Sequence, residues 1–156
     1  MTNAFNDVMG LMQQGTDFAE YCLKRRGQFF PYGMVLNTDG TTSMVAGHDG
    51  QEAPDSQGII QVLIDGCREG AKELAYAATA LFADVRIRHP ESGEEGEAIA
   101  VNLDHRDGVS TIFYLPYAIR KTGLLRRRSV VFAEPFSVDG AGLIFSQTDS
   151  CGPIPS

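Results

Sequence analysis

Apolar residues recur every three or four positions along two stretches of the chain, which is the spacing of a helix with one buried face. The first stretch covers residues 5–26. The second begins at Asp55 or Ser56, either of which can cap a helix, and reaches Leu74. Gly15 can interrupt the first stretch, so one long helix and two short ones are both compatible with it. The pattern predicts two amphipathic helices.

The residues after the first helix predict a corner. Three cations at 24–26 followed by Gly27 mark a helix end, because cations complement the negative end of the dipole and glycine adopts the left-handed cap. Pro31 cannot continue the helix and favours an extended chain before it. We therefore expect Phe29 or Phe30 to be buried where the first helix turns into a sheet.

A hairpin is expected next in the chain. Asp39-Gly40 can form a two-residue turn between strands at residues 32–38 and 41–47. That turn pairs Leu36 with Ser43, Met34 with Val45 and Tyr32 with Gly47. Both faces of this hairpin are apolar, so we expect helices or a partner chain to cover both.

The second half of the chain alternates apolar and polar residues, which predicts an antiparallel meander. Its strands lie at residues 81–88, 99–103 and 109–117, and a last strand covers 130–138. Pro135 marks that last strand as an edge or the site of a bulge.

The loop at Arg106-Asp107-Gly108 decides which residues of the meander share a face. A three-residue loop with Gly108 left-handed pairs Val101 with Phe113 and Ile99 with Leu115. A two-residue turn at Asp107-Gly108 would mix the apolar and polar faces, so the three-residue loop is favoured.

Two segments of the C-terminal part remain. Residues 122–129 are expected to form a solvated connection, in which Arg126, Arg127 and Arg128 make the only basic run besides the helix end. Residues 143–145 are compatible with a further short strand, and residues 147–156, which include two prolines, are expected to be a loosely ordered tail.

The order of elements is thus helix, hairpin, helix and meander, which defines an α+β fold. We expect two helices packed on a five- or six-stranded, mainly antiparallel sheet. The chain of 156 residues fits a single domain, placed at residues 1–146.

Composition narrows the classes of function. A net charge of −7 disfavours nonspecific attraction to nucleic acid or to an anionic membrane, so neither partner is expected. The three cysteines, Cys22, Cys67 and Cys151, lack C-x-x-C spacing and are interpreted as reduced thiols. The N-terminal residues lack the pattern of a signal peptide, so a cytoplasmic location is predicted.

A short motif provides a resemblance. The pattern G-x-F-x-P-Y-G at residues 27–33, with Asp39-Gly40 after it, resembles a motif shared by small bacterial proteins of uncharacterised function. The resemblance implies a bacterial protein and no particular chemistry. The element order is similar to that of profilin-like and roadblock-like domains, which mostly serve as binding and dimerisation modules.

Candidate catalytic groups are few. His105 lies beside Asp104 and Asp107, which is the combination that general acid-base chemistry requires, although it also suits a polar hairpin tip. His48 and His89 stand apart in predicted loops, so no metal site and no cofactor are predicted. A small hydrolase or transferase that uses His105 with Asp104 or Asp107 is therefore the alternative function.

The leading hypothesis is a non-enzymatic protein-binding or regulatory module that acts through the outer face of its sheet. That face is expected to mix aromatic, arginine and carboxylate side chains, as the centres of interfaces do. Its predicted residues are Phe82, Asp84, Arg86, Arg88, Asn102, Asp104, Ile112 and Tyr114. The partner is a protein or a second copy of the chain, and a homodimer is expected because two helices leave sheet surface to cover.

Overall fold

The structure is a computed structural model that describes residues 4–46, 56–73, 75–140 and 142–145. Within these residues it contains two helices and seven strands in the predicted order, so the α+β fold is confirmed. The elements are α1 Ala4–Arg26, β1 Tyr32–Asn37, β2 Thr42–Ala46, α2 Ser56–Lys72, β3 Tyr76–Arg88, β4 Glu95–His105, β5 Ser110–Thr122, β6 Arg127–Phe132 and β7 Phe136–Asp139.

The strands form one sheet in the order β2-β1-β3-β4-β5-β6, in which every neighbouring pair is antiparallel. β7 pairs with the part of β5 that β6 leaves free. Between them, the Ala133 N–H donates to the Pro116 carbonyl over 2.9 Å. β6 and β7 are therefore one edge strand interrupted around Pro135, as the proline predicts.

The two helices cover opposite faces of the sheet, so the core has two parts. α1 packs on the face that carries Tyr32, Phe82 and Val101. α2 packs on the face that carries Val35 and Leu81. The middle of β3 consequently carries buried apolar side chains on both faces, with Phe82 toward α1 and Leu81 toward α2.

Gly15 does not interrupt α1, which is one helix of 23 residues. It makes room for the Phe82 ring, since a Cβ at position 15 would lie 2.0 Å from Phe82 Cζ. The Tyr32 hydroxyl donates a hydrogen bond to the Gly15 carbonyl. The glycine thus brings the helix into close contact with the sheet.

The corner after α1 forms as expected. Gly27 is left-handed, with φ of +79°, and its N–H donates to the Leu23 carbonyl over 2.9 Å. Phe29 is 8% exposed and Phe30 is 49% exposed, so the prediction that one of the two is buried is confirmed.

The predicted two-residue turn of the first hairpin is wrong. Leu36 pairs with Thr42 and Met34 with Met44, which leaves a three-residue loop at residues 38–40. The loop closes because the Asp39 carboxylate accepts hydrogen bonds from the N–H and the hydroxyl of Thr41, at 2.9 and 2.6 Å. The side chains of β2 therefore lie on the faces opposite to those predicted.

The register of the second hairpin is confirmed. Val101 pairs with Phe113 and Ile99 with Leu115, and Gly108 is left-handed with φ of +101°. β5 extends to Thr122 and β6 begins at Arg127, so the connection between them is shorter than predicted. Pairing of β5 with β6 across the sheet edge draws Arg127 and Arg128 into the strand.

The segment 142–145 forms a turn and not the short strand with which its sequence is compatible. Ile144 and Phe145 are buried in the part of the core that α2 covers. The Arg68 Nε–H donates to the Leu143 carbonyl over 2.7 Å, which links α2 to this segment. Predictions for the tail, for Leu74 and Asp55, and for the loop that holds His48 fall outside the described residues.

Candidate functional site

The eight residues predicted for the outer face of the sheet do not share one face. Phe82 pairs with Val101 and Asp84 with Ile99, so the first four residues of the set, at positions 82–88, lie on the α1 side. Asn102, Asp104, Ile112 and Tyr114 lie on the α2 side. The prediction of a common face is therefore wrong. Residues 77–82 of β3 are buried on both faces, so the alternation of apolar and polar residues could not show which of them lie on the same face as the residues of β4.

On the α1 side, Phe82 and Asp84 make contacts within the protein. Phe82 is 1% exposed and stacks on Tyr32, with the ring centroids 4.9 Å apart. The Tyr117 hydroxyl donates to the Asp84 carboxylate over 2.6 Å. Burial raises the pKa of Asp84, and the hydrogen bond from Tyr117 partly offsets that effect. The Phe82 ring and the Asp84 carboxylate therefore both have their contacts within the protein.

Arg86 and Arg88 lie farther along β3 and form ion pairs with β4. Arg88 Nη2 is 2.7 Å from Glu95 Oε2, and Arg86 Nη1 is 3.5 Å from Glu97 Oε1. All four side chains are at least half exposed. Exposed pairs of this kind contribute about 0.2–1 kcal/mol each, so they stabilise the hairpin only slightly.

His105 is buried and both of its ring nitrogens are occupied. Nε2 lies 2.9 Å from Asp7 Oδ2, and Nδ1 accepts a hydrogen bond from the Asp107 backbone N–H over 3.0 Å. Asp104 points to the opposite face of the sheet. A general base needs a free nitrogen directed at a substrate, so this geometry favours a structural role in which His105 ties α1 to the β4–β5 loop.

The α2 side contains a cavity of about 210 Å³ between the helix and the open part of the sheet. Ile60 and Ile64 of α2 face Val85, Ile112 and other aliphatic side chains of the strands. Asn102 and Tyr114 supply polar groups to the lining. Three of the four α2-side predicted residues therefore meet at one concave, largely apolar site.

Buried oxygens without hydrogen-bond partners concentrate on the same face. Within the described residues, four buried side-chain oxygens lack a partner, and three of these are Thr79 Oγ1, Asn102 Oδ1 and Asp104 Oδ2. Asn102 lines the cavity, whereas Thr79 and Asp104 pair across β3 and β4. The cavity thus has an apolar wall and a polar end with unused hydrogen-bonding capacity.

Asp104 is 2% exposed, and its burial raises the carboxyl pKa to about 6 against a partial offset from a Ser110 hydrogen bond. Burial likewise raises the pKa of the Cys67 thiol to about 11, with the nearby Asp104 charge adding to the effect. Cys67 is therefore a protonated thiol at neutral pH and a poor nucleophile.

The described residues contain no group of three or more His, Cys, Asp or Glu side chains that could hold a metal ion. No helix in the described ranges is long and apolar enough to cross a membrane.

No family profile, curated protein or solved structure matches the chain. The cavity and its polar end are therefore the features of this chain that bear on its function. The periodicity of apolar residues could not have shown that Ile60 and Ile64 line a cavity, because they belong to the same apolar stripe of α2 that packs in the core.

Proposed function

We propose that the protein is a non-enzymatic binding module whose α2-side cavity receives an apolar anchor side chain of a protein partner. The observation that carries the proposal is the buried Asn102 Oδ1, which has no hydrogen-bond partner in the described chain and lines an aliphatic cavity. The proposal includes the bacterial, cytoplasmic setting predicted from the sequence.

The size of the cavity favours an anchor side chain over a cofactor. Pockets for drug-sized ligands and cofactors have volumes of about 300–1,000 Å³. An apolar cavity of about 150 Å³ holds benzene, so one of about 210 Å³ accommodates an aromatic ring with a small polar group. Tyrosine and tryptophan are also the side chains that most often dominate protein interfaces.

The polar end specifies a hydrogen-bond donor on that anchor. An oxygen that is buried and unpaired costs about 1–3 kcal/mol, and a donor from a partner would recover that free energy. A tyrosine hydroxyl meets this requirement, whereas a phenylalanine leaves Asn102 Oδ1 unpaired. We therefore expect a preference for phenol-like over benzene-like groups.

The alternative of a hydrolase or transferase has less support. Both nitrogens of His105 have partners, and Asp104 faces away from the ring. No observation in the described residues directs these three groups toward one substrate position.

Titration with two small probes tests the cavity. p-Cresol represents a tyrosine side chain and toluene represents phenylalanine, and methyl NMR signals of Ile60, Ile64 and Ile112 report occupancy. We expect p-cresol to shift these signals at lower concentration than toluene. Asn102→Leu should remove that preference while leaving toluene binding in place.

A filled cavity provides the second variant and its matched control. Ala100→Phe places a ring into the lining and should abolish the response to both probes. Ala118→Phe adds the same ring at an exposed position on the same face and should leave both responses unchanged. Equal responses in the two variants, or no response in the wild type, would contradict the proposal.

A displayed peptide library then tests for a protein anchor. Enriched peptides should contain tyrosine or tryptophan and should displace p-cresol from the wild-type protein. Peptides that bind the Ala100→Phe variant as well as the wild type would show that the anchor lies elsewhere.

A further inference from the structure

Cations are segregated at one end of this acidic protein. Of the thirteen lysines and arginines in the chain, seven lie at the end of α1 or in the part of the β5–β6 hairpin from Lys121 to Arg128, and an eighth, Arg120, directly precedes that part. We call this surface the basic tip, and its cations are Lys24, Arg25, Arg26, Lys121, Arg126, Arg127 and Arg128. Residues 118–133 contain no Asp or Glu. Within the described residues, the ion pair made by these cations joins Lys24 Nζ to Glu20 Oε2 at 3.2 Å.

Two leucines occupy the apex of the hairpin. The Arg126 N–H donates to the Gly123 carbonyl over 3.1 Å, which closes a turn with Leu124 and Leu125 at its central positions. Leu124 is 102% exposed and Leu125 is 77% exposed. Arg126 has φ of +53°, an uncommon value for a residue other than glycine. The turn therefore holds two large apolar side chains in water.

The hairpin is fixed to the end of α1. Arg128 Nη1 donates to the Arg25 carbonyl over 2.7 Å and lies 3.4 Å from the Lys24 carbonyl. This bond satisfies carbonyls that the helix end leaves free. It also places the cations of the helix end beside those of the hairpin, so that they form one continuous surface with the leucines.

We propose that the basic tip docks on the surface of an anionic lipid bilayer, with Leu124 and Leu125 inserted at the boundary of the acyl chains. Apolar side chains surrounded by arginine and lysine are what interfacial membrane binding requires, because the two groups contact different layers of the bilayer. A nucleic-acid backbone would use the cations and leave the leucines in water. This inference is independent of the α2-side cavity.

The net charge of −7 does not oppose this docking. Charges separated by more than the Debye length, about 8 Å at physiological ionic strength, are largely screened from one another. The bilayer therefore interacts mainly with the nearest charges, which are those of the basic tip. The prediction of no membrane partner was based on the net charge of the whole chain. That net charge does not describe the local charge of the basic tip.

Tryptophan fluorescence tests insertion directly. The chain contains no tryptophan, so Leu124→Trp introduces a single reporter at the apex. With vesicles that contain phosphatidylglycerol, its emission should shift to the blue and be quenched by lipids brominated in their acyl chains. Vesicles of phosphatidylcholine alone should give neither change. Ser92→Trp, on the exposed β3–β4 turn, is the control and should give neither change with either vesicle.

Sedimentation with the same vesicles separates insertion from charge attraction. Replacing both leucines with serine should reduce partitioning by about tenfold for each leucine, given the free energy of burying that side chain. Arg126→Gln with Arg127→Gln should reduce it by about fivefold for each cation. Arg86→Gln with Arg88→Gln removes the same charge elsewhere and should change it little.

Two results would overturn the proposal. The first is no association with phosphatidylglycerol vesicles at low ionic strength. The second is binding that the arginine pair weakens and the leucine pair does not, with equal binding to heparin or duplex DNA, which would indicate attraction to polyanions without insertion. The leucines are exposed, so circular dichroism should confirm that their replacement leaves the fold intact.

Discussion

Replacing Asp104 with Asn should make the stability of the protein less dependent on pH. The carboxyl pKa is about 6 in the folded protein and 3.8 as its ordinary value. Between these two values the folded state binds the proton more tightly than the unfolded state. The free energy of unfolding therefore falls as the pH rises through this window, and the loss is complete above the folded pKa.

The size of the effect follows from the shift. Each pKa unit corresponds to 1.36 kcal/mol, so a shift of roughly two units destabilises the ionised protein by about 3 kcal/mol relative to the protonated one. Asparagine has nearly the same shape and cannot ionise. Its stability relative to the wild type should therefore rise by about 2–3 kcal/mol between pH 4 and pH 7, a large change against a typical total of about 5–15 kcal/mol.

Urea denaturation at several pH values between 4 and 7 measures this difference. Asp139→Asn is the matched control, since its carboxylate is exposed at the sheet edge, and its difference from the wild type should stay nearly constant. A difference between Asp104→Asn and the wild type that does not change with pH would refute the reasoning. It would mean that the buried carboxylate has a partner that stabilises its charge.

Two further predictions concern the corner and the assembly. Phe29→Ala should lower the free energy of unfolding by about 3–5 kcal/mol, because it leaves a cavity beside Tyr32, whereas Phe30→Ala should change it by about 0.5 kcal/mol or less. Equal urea midpoints for the two variants would contradict this assignment. Homodimerisation stays a prediction, which light scattering decides: a monomer mass at tens of micromolar would exclude a stable dimer. Phe18 and Met44, which are partly exposed near the edge strand β2, are the positions to substitute if a dimer is found.

The fold was predictable where one local signal determined one element. The stripe of α2 and the glycine after the cations of α1 each fixed a helix or its end. The β4–β5 register followed from the left-handed Gly108, because a one-residue slip would have exposed an apolar face. The predicted β1–β2 register was wrong despite a similar turn signal. The hydrogen bonds that Thr41 donates to the Asp39 carboxylate, which extend the loop, depend on side-chain geometry rather than on apolar pattern.

The candidate site was only partly predictable, because it depends on which face each strand presents. Asn102, Ile112 and Tyr114 were found through their alternation with buried residues of β4 and β5. The opposite wall of the cavity comes from α2, and its contact with the sheet is a tertiary property that periodicity does not contain. The raised pKa of Asp104 is also tertiary, since it results from burial beneath elements distant in sequence.

The contrast between the two faces of the sheet supports placing the proposed binding function on the α2 side. On the α1 side, Tyr32, Asp84 and His105 each have a hydrogen-bond partner on another element. On the α2 side, three buried oxygens lack a partner in the described chain. Each such group costs about 1–3 kcal/mol, and apolar replacements of similar shape would avoid that cost. The fourth such oxygen in the described residues, Thr16 Oγ1, belongs to α1, so the cost is concentrated on the α2 side without being confined to it. Of the three on the α2 side, Asn102 Oδ1 lines the cavity, where a donor group on a ligand would supply its missing hydrogen bond.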